Sequence, residues 1–272
     1  MPRLELDPLL YRSFSFCVSK RKILFTLPIV SLSGLIYTSF RTLSSGTSEW
    51  IQLSFSFLPV FVIASLLLAA GLILIRAYHN EIKGIPFSYR KLTAQSWDLM
   101  VAFVYFTLPL TMLYVVLWSL VGFFYLFKEI PWIGPLVSFI LSFMPLLLVL
   151  TFILLSIAYI AVIFFFSPAV ALKSECSLQM LKSYFVSSRR NLLNFVSLLL
   201  VALLPILGVL GLLFISSAVI SSGQEISNSA FTSTAHSLLN SFVYSVFCTP
   251  AVIFFFNFSA ESYVFIKKRA QK

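Results

Sequence analysis

The sequence predicts an all-α, polytopic membrane bundle: six transmembrane helices with interfacial amphipathic helices on the cytoplasmic side. Three observations carry this prediction. The chain of 272 residues is 60% hydrophobic and only 10% charged, with a mean hydropathy of +1.00, well outside the range of soluble domains. Six apolar runs, at about 23–40, 51–75, 99–127, 136–166, 192–220 and 238–266, each hold 18 or more residues, enough to cross the roughly 30 Å hydrocarbon core as a helix. None of them alternates polar with apolar residues, as the roughly ten-residue strands of a membrane barrel would. Residues 1–272 therefore read as a single transmembrane domain.

Asp7-Pro8 suits the start of a first surface helix, since Asp caps well and Pro is tolerated at the first helical position. Leu10, Phe14 and Cys17-Val18 recur near helical spacing up to Lys20-Arg21-Lys22. The first apolar run is read as a retained anchor, because it lacks a small-x-small cleavage site. Arg41 to Glu49 form a short external turn. The second run exits at Arg76, Tyr78 and His79. After Gly84 and Pro86, a second surface helix is expected over Phe87 to Trp97, with Ser88 near its start. Lys128 to Pro135 separate the third and fourth spans, with Trp132 at the external interface. The length of the fourth span implies tilt or an interfacial continuation.

Ser167-Pro168 is expected to break that span. A third surface helix is read from Ser174: Leu178, Leu181 and Phe185 share one face, with Met180 and Tyr184 beside it. Ser174 caps it, Glu175 suits its positive end and Arg189-Arg190 its negative end. The fifth run follows, and then the longest external loop, Ser221 to Ser237, before the sixth run.

The formal net charge is +10, and its distribution decides its meaning. Of the 19 Lys and Arg, 17 fall in residues 1–22, 76–98, 167–191 and 260–272, and only Arg41 and Lys128 lie elsewhere. This is the positive-inside pattern, which puts both termini and both long polar loops in the cytoplasm of a bacterial inner membrane. Nucleic acid is not expected as a partner, because its recognition needs a basic face on a soluble module. Cys17, Cys176 and Cys248 have no paired spacing and read as structural thiols.

The chain also reads as three hairpin units of the same orientation, at about 8–80, 84–174 and 175–266. Phe16-x-x-Ser19-Lys20-Arg21-x-Ile23-Leu24 parallels Phe185-x-x-Ser188-Arg189-Arg190-x-Leu192-Leu193. The hexapeptide starting at Ala161 recurs unchanged at Ala251. Such repeats imply a pseudo-axis along the membrane normal. Chance matching in a Phe- and Leu-rich alphabet is the competing explanation. Each span carries an interior proline, at 28, 59, 109, 145, 205 and 250. These are either potential kinks around a cavity or the ordinary tolerance of membrane helices for proline.

Catalytic, cofactor-binding and metal-binding residues are not expected. The interiors of the runs carry no Asp, Glu, Lys, Arg or His, and burying a charge there is costly enough to need a purpose. Asp98 and Glu261 lie near cytoplasmic ends, where they can pair with Arg or Lys or reach water. His79 and His236 fall on opposite sides of the membrane. The sequence has no HExxH, no GxSxG, no zinc-spaced Cys pair and no phosphate-cradling Gly loop, which argues against a zinc protease or a nucleotide-driven motor.

From Phe166 to Leu200 the order is Pro-Ala-x-x-Leu, a helix reading Leu-x-x-x-Leu-Lys-Ser-Tyr, a basic pair with Asn191, and an outward apolar run. With Gly84-Ile-Pro-Phe-Ser88 it resembles a group of bacterial six-span membrane proteins of unknown function and the membrane domain fused to some glycerophosphodiester phosphodiesterases. The resemblance spans about half the chain. It implies a six-helix domain with cytoplasmic interfacial helices, and it carries over no activity, because the catalytic barrel is absent from this sequence.

The function expected is therefore non-enzymatic: the basic cytoplasmic rim binds anionic lipid or a membrane partner. Lys20, Arg21, Lys22, Lys182, Arg189 and Arg190 are the expected head-group contacts. The alternative is a small-molecule or lipid transporter whose pathway runs between the proline-bearing spans, lined by Ser, Thr and Tyr.

Overall fold

The computed structural model describes residues 6–44, 49–127, 134–173, 192–221 and 230–270, with Thr47 and Ile130 between them. Among these residues there are seven α-helices and no strand: α1 (Leu6–Ser15), α2 (Lys20–Ser44), α3 (Glu49–Ile82), α4 (Tyr89–Phe127), α5 (Gly134–Lys173), α6 (Leu192–Ser221) and α7 (Ala230–Ala270). Five of them, α2, α3, α5, α6 and α7, contain stretches long and apolar enough to cross a membrane, as in a multi-pass membrane protein. The run at 99–127 lies within α4, whose side chains are described only in part. The surface helix expected from Ser174 lies outside the described residues, as do residues 128–129, 131–133 and 222–229 of the external segments, while Ala230 to Ser237 open the last helix.

α3 is the centre of the bundle, packed against α2, α4, α5 and α7, while α7 touches α1, α2, α3, α5 and α6. Leu68, Leu72, Leu74 and Ile75 of α3, Phe164 of α5, and Ile253, Phe256 and Phe258 of α7 are fully buried. Small residues let membrane helices approach closely, and Gly71 does so here. A Cβ on it would lie 2.1 Å from Cε1 of Phe256. The two copies of the repeated hexapeptide meet across the bundle: the Phe164 ring centroid is 5.3 Å from that of Phe255 and 6.2 Å from that of Phe258. Each such aromatic pair contributes about 0.5–1.5 kcal/mol beyond its burial.

Three boundaries differ from the sequence reading, each for a local reason. α3 does not end at Arg76 but runs to Ile82, because no breaker precedes Gly84. There Gly84 takes φ +67°, its N–H donates to the Glu81 carbonyl at 3.0 Å, and the Ile85 N–H donates to the Asn80 carbonyl at 3.0 Å. That pair of bonds satisfies the orphan carbonyls of the last turn, and the left-handed backbone suits glycine. Ser88 does stand at the start of α4, its carbonyl accepting the Leu92 N–H at 3.0 Å. The surface segment beyond it is, however, continuous with the apolar run rather than a separate helix.

The third difference is Ser167-Pro168, which does not break α5. Pro168 lacks the N–H that would bond the Phe164 carbonyl four residues earlier. The Ser259 hydroxyl of α7 donates to that carbonyl instead. In lipid a freed backbone group is tolerated when a neighbouring helix satisfies it, so the helix continues to Lys173.

Candidate functional site

The polar chemistry of the described residues collects at one end of the bundle, where α1 and the last turns of α7 meet the start of α2 and the end of α3. α1 is followed by a turn in which the Cys17 N–H donates to the Phe14 carbonyl at 3.0 Å. Ser19 then opens α2, its carbonyl accepting the Ile23 N–H at 3.0 Å. This short link folds Lys22 back beneath α1.

Lys22 is fully buried. Its ammonium pairs with the Glu81 carboxylate at 2.5 Å and donates to the Phe16 carbonyl at 3.3 Å. It also lies 5.0 Å from the centroid of the Tyr78 ring, a cation–π distance. The Ser19 hydroxyl donates to the other Glu81 oxygen at 3.4 Å. Tyr78, itself buried, donates to Oε1 of Glu261 at 2.8 Å, and Nη1 of Arg12 lies 3.9 Å from the same oxygen. Asn257, one turn before Glu261, donates to the Ser13 carbonyl at 3.4 Å. The Cys17 thiol donates to that carbonyl at 3.0 Å. Burial pushes the Cys17 thiol up from 9.0 to about 11, against a smaller opposing pull from the Lys22 ammonium and the Asn257 amide.

The cluster is balanced in charge, with Lys22 against Glu81 and Arg12 against Glu261. Chemically it is a fastening. Buried charge pairs add little net stability but penalise any arrangement that separates them, so this one fixes α1 against α7 and α2 against α3. Arg76 plays the same part on the neighbouring side. Its Nε donates to the Ala171 carbonyl at 3.0 Å, and its Nη1 donates to the Gln95 carbonyl at 3.2 Å and to the Ser96 hydroxyl at 2.7 Å. The guanidinium thus covers a last-turn carbonyl of α5 and ties it to the first turns of α4. Beside it lies an open cleft of about 390 Å³, lined in part by His79, Asn80, Gln95 and Leu172.

Of the residues expected to contact head groups, Lys20 and Arg21 are exposed on the first turn of α2. Lys22 is a correction. It faces inward, fully buried and paired with Glu81, rather than outward beside Lys20 and Arg21. Lys182, Arg189 and Arg190 lie outside the described residues. Of the two alternatives for Glu261, the structure shows the ion pair: its partner is Arg12 of α1, and a buried tyrosine shares the carboxylate. Glu81 and Asn257 were not singled out from sequence, and Tyr78 was read only as marking the exit of the second run. The available signal was helical spacing: Lys22 with Thr26, Tyr78 with Glu81, and Asn257 with Glu261 each put two polar groups on one face of an apolar helix end.

Together these features define a multi-pass α-helical membrane protein with a charge-balanced polar cluster at one end of its bundle. Comparison with protein-family models, with curated proteins and with solved structures returns no match for the chain.

Proposed function

We propose that the chain is a non-enzymatic, six-span protein of a bacterial inner membrane, with both termini cytoplasmic, that holds anionic lipid at its basic end. The observation that carries this reading is the corner between α1 and α2. Tyr11, Phe14 and, in the turn that follows, Val18 are 80%, 66% and 70% exposed. Tyr11 and Phe14, at i and i+3, share one side of α1, and Val18 follows in the turn, while Ser13 and Cys17 are buried. Exposed Lys20 and Arg21 adjoin this stripe. Apolar insertion beside basic residues is how an interfacial helix holds an anionic leaflet, at about 1 kcal/mol for each cation near the surface. The three-unit repeat belongs to the same proposal, since it would place a second basic pair, Arg189-Arg190, at the equivalent point of entry.

The test replaces Lys20, Arg21, Lys182, Arg189 and Arg190 by Glu, leaving Lys22 in place to preserve its ion pair. Lipid co-purifying with the protein is then identified by mass spectrometry. The variant is expected to lose anionic lipid selectively while retaining neutral lipid. Unchanged anionic retention in a folded variant would falsify the proposal.

A further inference from the structure

We infer that the first turns of α2 and α4 together form one binding site for a lipid head group carrying two phosphates. The inference rests on the anionic-lipid reading above and specifies its ligand. Phe25, one turn into α2, stacks on Tyr89, the first residue of α4, with ring centroids 4.8 Å apart and an interplanar angle of 14°. Phe87 packs edge-on against the same tyrosine at 5.6 Å. This aromatic floor joins segments more than sixty residues apart in sequence. Arg21 lies four residues before Phe25, on the same helical face.

The stack brings the first turns of α2 and α4 together, and each carries an exposed cation pair, Lys20 and Arg21 on one and Arg90 and Lys91 on the other. None of the four cations belongs to the ion pairs of Arg12 with Glu261 or of Lys22 with Glu81. Glu81, the acid nearest this corner, is already matched by the buried Lys22, so the corner keeps its positive charge. Both pairs also stand on helix first turns, where unpaired N–H groups add to the attraction for an anion. Trp97 lies seven residues after Arg90 on the same face of α4 and is 64% exposed, which suits an indole at the head-group level. Two cation pairs on two helices match two phosphates joined by a short linker better than one isolated phosphate.

The experiment uses the full-length protein, delipidated in a non-ionic detergent. It is challenged with a lipid bearing two linked phosphodiesters, with phosphatidylglycerol, and with a neutral lipid, and bound lipid is counted by native mass spectrometry. The wild type is expected to prefer the two-phosphate lipid over phosphatidylglycerol by about tenfold, equivalent to about 1.4 kcal/mol. K20Q/R21Q and R90Q/K91Q should each reduce that preference to near one, and the quadruple variant should lose nothing further. R90K/K91R, which keeps the charge, should retain it. A preference that survives R90Q/K91Q, or losses that simply multiply in the quadruple variant, would show two unrelated patches and overturn the inference. Equal binding of both anionic lipids would sink this inference and leave the proposed function standing. Binding no stronger than to the neutral lipid would sink both.

Discussion

Lys20, Arg21 and Lys22 are adjacent in sequence and chemically alike, yet the fold gives Lys22 a different role. The two exposed cations face outward, and Lys22 is fully buried with Glu81 as its partner. The pair is asymmetric, because the Lys22 side chain is 0% exposed and that of Glu81 19%. Removing the carboxylate strands an ammonium with no access to water, at a cost of about 3–5 kcal/mol. Removing the ammonium leaves a carboxylate that reaches solvent. Glu81→Gln is therefore expected to lower the thermal unfolding midpoint in detergent more than Lys22→Met does. The double variant should be more stable than Glu81→Gln alone. Equal single effects that add in the double would mean the pair is uncoupled. Nothing local in the sequence distinguishes Lys22 from its neighbours; the distinction comes from Glu81, fifty-nine residues away. Cys17 offers a second test. A thiol raised to about 11 stays protonated at pH 8, so alkylation of Cys17 in the folded protein should be far slower than in the unfolded chain. The linkage sign follows. The unfolded thiol ionises from about 9 and the folded one only near 11, so this contribution to stability is complete below pH 9 and lost as pH rises toward 11.

At the scale of elements, composition and run length are enough to read helices here, because a span must satisfy its backbone internally whatever its partners. Boundaries are less legible, since they depend on groups supplied from elsewhere. Pro168 is a helix breaker by local rules, and only Ser259, ninety-one residues later, keeps α5 whole. This makes a suppressor test. Ser259→Ala leaves the buried Phe164 carbonyl without its donor, at about 1–3 kcal/mol. Pro168→Ala restores the N–H, so adding it to Ser259→Ala should recover most of the loss, read as the unfolding midpoint. If Pro168→Ala instead deepens the loss, the serine is not substituting for the missing bond. The contact of α3 with α7 can be tested in the same way. Gly71→Ala forces a methyl into the Phe256 ring and should cost about 1–3 kcal/mol through overpacking. Phe256→Leu should relieve part of that cost in the double variant.

For the whole molecule, the polar fastenings constrain how often the chain crosses. Ser13 and Arg12 of α1 touch Asn257 and Glu261 near the end of α7, so both ends of the described chain sit at one end of the bundle. A chain that leaves and returns to the same side crosses an even number of times, whereas five helices meet the length and composition needed to cross. Arg76 bears on the sixth crossing proposed above. It bonds the last turns of α5 and the first turns of α4 from near the end of α3. A chain that leaves α3 and comes back through α5 to the same end has to travel outward through α4. With 39 residues, α4 is about 58 Å long, well beyond the roughly 30 Å of hydrocarbon. The prediction is that topology reporters fused before α1 and after α7 fall in one compartment and a reporter inserted at 128–133 falls in the other. With seventeen of the nineteen Lys and Arg in residues 1–22, 76–98, 167–191 and 260–272, the positive-inside rule predicts that this compartment is the cytoplasm. A reporter at 128–133 on the same side as both termini would mean that α4 turns back within the leaflet, and the alternation of helices through the bundle would have to be redrawn around it.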